Sequence, residues 1–525
     1  MADYQVSYED FNALLESLPD NTPQTPYSIE LTQLTWLNIY NQSEGRLNVG
    51  YYLRKNPTKY VQLSISESAE MYGQDDDIYG HSFLGGFLNC TSLVGIDLAA
   101  FSGKIEFGEA FYGCSNLREI DLSPTIHSTS FSRTFEDCTS LVRVTGIHGG
   151  ESTKPANWNR SFSNCTSLKS AVIGNFELNN ISGVYEMFSG CTSLTEVIGL
   201  EYLNFHSTVS CSRMFENCTS LTYMDISRCT GEIEGMFSGC TSLKEVVMPR
   251  YSSDWTHITD IFKGCTSLQS VDMSTVPFYQ GDGAFEGCST LKTVTGLHQI
   301  VRGISGDVSG SRMFKDCSSL RSVDISGVTE VSNADEMFSG CSSLETLSMA
   351  SLTKLTEAKG MFKNCSSLTR IFGWSVPSVD IDVAEIFSGC TNLKAVYLSA
   401  SAPLDMQEWS LFHVKTSASG DSADIDIYSD GGEKTTVTGV SLADGAYGIE
   451  FPVAVDDLYV GDGTDLSAKI REYLSERYPW STRWQTDALD ASKKNFVLWS
   501  RDTRSVRTNI FESGAVKVKG AVWND

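Results

Sequence analysis

The sequence has no apolar run approaching the ~18 residues that a membrane-spanning helix needs. Its longest apolar patches, such as residues 451–455, are strand-sized. The amino terminus, Met-Ala-Asp-Tyr-Gln-Val-Ser-Tyr-Glu-Asp, is acidic and lacks the apolar h-region of a secretory signal peptide. Positive charge is scarce too. Against 65 Asp and Glu there are 39 Lys and Arg, a net charge of −26, which disfavours nucleic acid and anionic membrane as partners. The scarcity is uneven: residues 466–525 carry a net +4 and the rest of the chain −30, so the last sixty residues read as a differently charged unit.

Catalytic signatures are also missing. There is no His-Glu-x-x-His, no Gly-x-Ser-x-Gly and no Gly-x-x-x-x-Gly-Lys, the patterns that hold a metal, a nucleophile or a phosphate. The seven histidines are scattered, and two of them, His148 and His298, occupy matching Thr-Gly-Ile-His and Thr-Gly-Leu-His segments. Zinc sites need close pairs such as Cys-x-x-Cys, which the chain lacks. The acidic runs at 75–77 and 424–430 lack the full Asp-x-Asp-x-Asp-Gly calcium loop. These absences read as a chain with no cofactor, no metal and no enzymatic activity.

What is present is a repeat. Thirteen of the fifteen cysteines fall at 90, 114, 138, 165, 191, 218, 240, 265, 288, 317, 341, 365 and 390, at intervals of 22 to 29 residues. Every one has a Phe three residues before it and a Leu three residues after it, from Phe87 and Leu93 through to Phe387 and Leu393. From the Leu onward apolar residues alternate, as in Leu320, Val323 and Ile325, which predicts a short strand of about four to six residues. The preceding Met-Phe-x-x-Cys suits one helical or 3₁₀ turn. One unit cannot bury its Phe, Cys and Leu alone, whereas stacked units bury all three in a continuous core. The fold expected is therefore a leucine-rich-repeat β-solenoid. Its cysteines read as free inward thiols, since equivalent positions on parallel coils point the same way. Cys211 and Cys229 lie outside the repeat and their state stays open. The Thr/Ser pair after each Cys is expected to satisfy backbone amides left without ladder partners.

The pattern Phe-x-x-Cys-Thr-Ser-Leu-x-x-Val-x-Φ resembles the BspA-type, or treponemal-type, leucine-rich repeats of bacterial surface proteins. Residues 27–34, Tyr-Ser-Ile-Glu-Leu-Thr-Gln-Leu, and 56–63, Asn-Pro-Thr-Lys-Tyr-Val-Gln-Leu, are similar to the segment that often precedes such repeats. The resemblance covers about residues 25–400. It implies a right-handed β-solenoid and attachment to host matrix proteins, other bacteria or host cells. The chain departs from that pattern in having no recognisable signal peptide or anchor.

Residues 7–18 place Phe11, Leu14, Leu15 and Leu18 on one helical face with Ser7 or Asp10 as cap. With strands at 29–31 and 61–63 this helix is expected to cover the first coil. The division expected is 1–80 as N-terminal helix and cap, 81–400 as thirteen repeats, 401–424 as linker and 425–525 as a small α+β domain. In that last domain strands are expected at 435–440, 448–455, 496–499 and 515–522, with a helix at 466–478.

Candidate partner-binding residues are the aromatics of the variable segments, Trp158, Tyr202, Phe205, Tyr251, Trp255, Phe278, Tyr279 and Trp374. A second group is Trp480, Trp484 and Trp499 beside Arg501 and Arg504, an arrangement suited to sugars or to an interface hot spot. The function expected is non-enzymatic recognition or adhesion, through an extended repeat surface, of a protein or glycan on a host or neighbouring cell, without membrane insertion. The alternatives are a structural or receptor-binding component of a phage particle or other assembly, and an enzyme housed in the C-terminal domain. The matching locations are a cell surface reached by a non-classical route, a virion, or the cytoplasm.

Overall fold

In the computed structural model of the protein, each repeat is one coil with two hydrogen-bonded sides. The structure describes residues 2–35, 38–39, 47–66, 81–101, 105–123, 130–147, 156–173, 181–200, 209–229, 231–250, 257–298, 308–374, 386–392, 395–398, 412–413, 422–428, 434–441 and 448–449. The chain forms two compact units, Met1–Ser253 and Asp254–Asp525. Coils are numbered here by their cysteines, coil 1 at Cys90 to coil 13 at Cys390.

The first side of the coil is a parallel sheet. Strands of three to five residues begin at the repeat Leu or just after it: Leu93–Ile96, Glu119–Asp121, Arg143–Ile147, Ser170–Ile173 and Glu196–Ile198 in coils 1 to 5. Their register is set by burial. Ile120 lies opposite Val144, and Val144 opposite Ala171, all three facing inward. A slip of one residue would turn that set to solvent.

The second side carries its own ladder, built from turns. Within each coil the Cys N–H donates to the Phe carbonyl three residues back at 3.0 or 3.1 Å. These are i→i+3 bonds of the 3₁₀ kind. They do not merge into a helix, because the residues five and one before the Cys are left-handed, as at Glu109 (φ 54°) and Gly113 (φ 71°) in coil 2. A positive φ at the third residue makes each a separate turn of the type II kind. The Phe N–H is thereby freed to point along the stack: Phe87 N donates to Ala110 O at 2.8 Å and Phe111 N to Thr134 O at 2.9 Å.

Three side-chain ladders run between these sides. The Phe rings stack coil on coil, at 5.5 Å and 2° between Phe111 and Phe135 and at 5.2 Å and 3° between Phe285 and Phe314. The Cys thiols donate to the Phe carbonyl of the preceding coil, at 3.0 Å from Cys114 to Phe87 and from Cys341 to Phe314. The hydroxyls after the Cys donate to the preceding coil as well, Thr166 to Thr139 O at 3.2 Å and Thr192 to Thr166 O at 3.3 Å. This corrects the role expected for the Thr/Ser pair. The first amide of the pair is used in a local turn, as from Thr139 to Asp137 O, and the second can reach the preceding coil, as from Ser140 to Ser115 O, so the hydroxyls satisfy carbonyls across the coil boundary instead.

The N-terminal segment begins this architecture with helices in place of turns. Strands β1 (Tyr4–Ser7), β2 (Tyr27–Thr32) and β3 (Val61–Ile65) pair in parallel, and β3 pairs with the coil 1 strand. Helix α1 (Tyr8–Ser17) is capped by Ser7, which accepts from Asp10 N, and it buries Phe11 and Leu15 as the amphipathic pattern predicts. A second helix, α2 (Val49–Lys55), was not expected. It supplies the groups that a preceding coil would supply: Gly50 O accepts the Cys90 thiol at 3.3 Å, and Leu53 O accepts the Ser92 hydroxyl at 3.2 Å.

In the second unit the coil 8 and 9 strands pair, and so do those of coils 11, 12 and 13. The sheet continues beyond the repeats. Ser422–Tyr428 joins the coil 13 strand in parallel, and Lys434–Ser441 folds back antiparallel on it. Phe412–His413 pairs with Gly448–Ile449. The strand expected at 435–440 is thus present, and part of the segment read as a linker is strand. The helix at 466–478 and the strands at 496–499 and 515–522 lie outside the described residues.

Candidate binding surface

The outward positions of each strand fall two and four residues after the repeat Leu. In most coils the later position is Asp, Thr or Ser, and its task is visible. Asp121 Oδ1 accepts Ser123 N at 3.0 Å and the Thr145 hydroxyl of the next coil at 3.0 Å. Asp272 repeats this arrangement with Ser274 N at 2.9 Å and Thr295 at 3.3 Å. The Ser123 and Ser274 hydrogen bonds hold both carboxyls below the usual carboxylate range. The next coil comes so close that a Cβ on Gly146 would lie 2.1 Å from Ser123 N, and one on Gly296 2.5 Å from Ser274. The matching Thr-Gly-Ile-His and Thr-Gly-Leu-His segments therefore follow from the Asp-Φ-Ser coil packed before each.

Coils 4, 5 and 7 depart from this rule with aliphatic residues, and coils 12 and 13 with Phe372 and Tyr397. Val172, Ile198 and Val247 stand where most coils carry Asp, Thr or Ser, with Tyr223 two residues after the Leu of coil 6 and Val142 one residue after that of coil 3. These five side chains are 37% to 48% exposed and, apart from Leu47, are the exposed large hydrophobics among the described residues. Val172 and Ile198 are direct neighbours across the sheet. Around them run charges of both signs, with Arg118, Lys169 and Lys244 one residue after the Leu and Glu119, Glu196 and Glu245 beside them. An apolar centre with a mixed-charge rim is the usual composition of a protein interface.

The expected partner-binding residues distribute otherwise. Trp158 is 1% exposed, and its ring stacks 4.1 Å from Phe131. It is a core residue, which corrects the expectation, because it occupies the place seven residues before the Cys that Phe83, Phe107 and Phe131 fill in coils 1 to 3. Phe278 is likewise fully buried. Tyr279 is half-buried, its ring 6.0 Å from that of His257. Trp374 ends the strand Arg370–Trp374, where its backbone lies opposite Leu398. Tyr202, Phe205, Tyr251, Trp255, Trp480, Trp484, Trp499, Arg501 and Arg504 lie outside the described residues.

Among the described residues no group of three or more His, Cys, Asp or Glu is placed to hold a metal ion, and no helix is long and apolar enough to cross a membrane. Burial pushes column thiols such as Cys114 and Cys218 up, and Cys240 and Cys288 to about 12. At neutral pH they are donors rather than nucleophiles.

Parallel short strands, a turn ladder and stacked Phe, Cys and Leu columns define a leucine-rich-repeat solenoid. Residues 85–205, 158–292 and 308–404 match the BspA type leucine rich repeat region, in six copies, over more than half of the chain. The chain belongs to that family. No curated protein matches it. Among solved structures it is similar to a leucine-rich repeat protein from Bacteroides ovatus, at 21% identity over 62% of this chain and 84% of that one, with a TM-score of 0.41. It is also similar to a leucine rich cell surface protein from Faecalibacterium prausnitzii, at 18% identity over 72% and 90% of the two chains, with a TM-score of 0.37.

Proposed function

We propose that this chain is a non-enzymatic recognition protein that binds a protein partner through the outer strand face of coils 3 to 7. The observation that carries this reading is the replacement of turn-forming Asp by exposed Val or Ile in coils 4, 5 and 7. That exchange gives up hydrogen bonds and exposes apolar surface, a double cost that a partner covering the face would offset. Membership of a leucine-rich-repeat family, typically protein-binding or surface proteins, supports the same reading.

The finer reading is adhesion, with the partner a protein or glycan on a host or neighbouring cell. The test is the binding of purified full-length protein to host-cell surfaces and matrix proteins, compared with a Val172→Glu/Ile198→Glu variant. Saturable binding weakened tenfold or more in the variant supports the face as the site. Equal binding by both proteins rejects it. Antibody labelling of intact cells and culture particles separates the rival reading, a particle component docked through its basic last sixty residues, from a cell-surface adhesin.

A further inference from the structure

Two buried thiols stand outside the cysteine column. Cys211 lies seven residues ahead of Cys218, in the place that Phe83, Phe107, Phe131 and Trp158 fill earlier. Cys229 lies in the turn after the coil 6 strand, its N–H donating to Ile226 O at 2.8 Å. The neighbouring coil brings them together. Cys211 N donates to Glu232 O at 2.8 Å, Ser210 pairs with Glu232, and a Cβ on Gly231 would sit 3.3 Å from the Cys211 sulfur. Glycine at 231 leaves room for that sulfur, and the Cys229 side chain reaches it from two residues away, within hydrogen-bonding contact.

We propose that Cys211 and Cys229 are an oxidation site, a thiol pair that closes to a disulfide tying the turn side of coil 6 to the start of coil 7. The reaction is exchange with a small-molecule disulfide such as oxidised glutathione. One cysteine thiolate attacks the external disulfide and releases one thiol, and the second cysteine attacks the mixed disulfide and releases the other. Two protein S–H bonds and one external S–S bond become one protein S–S bond and two external S–H bonds.

The column cysteines are built against the same reaction. Each comes from an equivalent position on a parallel coil, so neighbouring sulfurs aim alike, which is unlike the crossed geometry a disulfide requires. Cys365 and Cys390 also touch, but their thiols donate to Phe338 O and Phe362 O at 3.0 and 2.9 Å, bonds that oxidation would remove. Cys211 has a 3.9 Å contact with Val209 O in their place. It meets Cys229 from a different position in the coil. Burial keeps the Cys229 thiol protonated, so exchange proceeds through local opening of these two coils.

The test uses the full-length wild-type protein equilibrated in glutathione buffers of stepped redox ratio, alkylated, digested without reductant and mapped by mass spectrometry. The expected product is a linked peptide pair containing Cys211 and Cys229, about 2 Da lighter than the two reduced peptides together, with the column cysteines unlinked. Oxidised protein is expected to melt several degrees higher than reduced protein, a difference absent from Cys229→Ser. Closure of a column pair, glutathione adducts on Cys211 or Cys229 without the link, or no link at any ratio would each overturn the proposal.

Discussion

The carbonyl oxygen of Phe87 accepts two hydrogen bonds, one from Cys90 N in its own coil at 3.0 Å and one from the Cys114 thiol of the next coil at 3.0 Å. Repetition of this pair along each unit explains why the position is cysteine. The site needs a donor for the second lone pair of that carbonyl and an apolar body for the core, and a thiol supplies both.

Replacing one such thiol tests that account. Cys191→Ala removes the 3.0 Å donor to Phe162 O and leaves a small void. It is expected to lower stability by about 1–2 kcal/mol, read as a shift of the urea midpoint. A midpoint unchanged within error would mean that the thiol–carbonyl bond contributes nothing.

Alkali should unfold the protein. Burial raises the Cys90, Cys240 and Cys288 thiols to about 12, whereas a thiol in the unfolded chain titrates near ~8.5. Below that value both states keep the proton and stability is flat. Above it only the unfolded state ionises, so stability falls by about 1.4 kcal/mol per thiol per pH unit until the folded value is reached. Urea midpoints at pH 7, 8, 9 and 10 should therefore be level and then drop. A flat profile to pH 10 would contradict the burial of the column.

The turn ladder makes a coupling prediction. Gly113 has φ +71°, and a Cβ there would lie 2.2 Å from Asn89 Oδ1 in the preceding coil. Gly113→Ala is expected to cost about 1–3 kcal/mol. In an Asn89→Gly background the steric part of that cost disappears, so the double-mutant cycle should show a coupling above about 0.5 kcal/mol.

Core and surface apolar side chains should separate cleanly. Trp158→Ala is expected to cost about 3–5 kcal/mol, as for a buried aromatic. The exposed Val172→Glu/Ile198→Glu pair should change stability by about 0.5 kcal/mol or less per site. Thermal melts of the two variants measure both, and a large loss in the second would identify those side chains as structural.

The Phe, Cys and Leu columns were legible because the solenoid imposes fixed spacing on buried side chains. The same spacing held a signal that the hydrophobic pattern obscured. The residue before each repeat Cys is always Asn, Asp or Gly, from Asn89 and Gly113 to Asn364 and Gly389, the types that tolerate a left-handed backbone. That regularity implies turns in place of a helix. Trp158 was misplaced by weighing its size above its position, since seven residues before Cys165 it stands in line with Phe131. The surface was harder to see. A strand accepts Val or Ile on either face, so Val172 and Ile198 stand out only once the sheet shows which side is wet. Helix α2, with Gly50 and few apolar anchors, has too little amphipathic pattern to be read without the coil it covers.

The recurring bonds that cross a coil boundary in the turn ladder use groups that all coils carry, a Phe amide to a backbone carbonyl and a Cys thiol to a Phe carbonyl. In-frame duplication or loss of one repeat therefore leaves these recurring bonds partnered, and the number of coils is free to drift over evolutionary time. The outer strand residues stand outside that recurring set, and only pairs such as Asp121 and Thr145 tie one coil to the next there. Each newly copied coil arrives with its turn ladder complete and its outer face functionally blank, with selection left to act on that face.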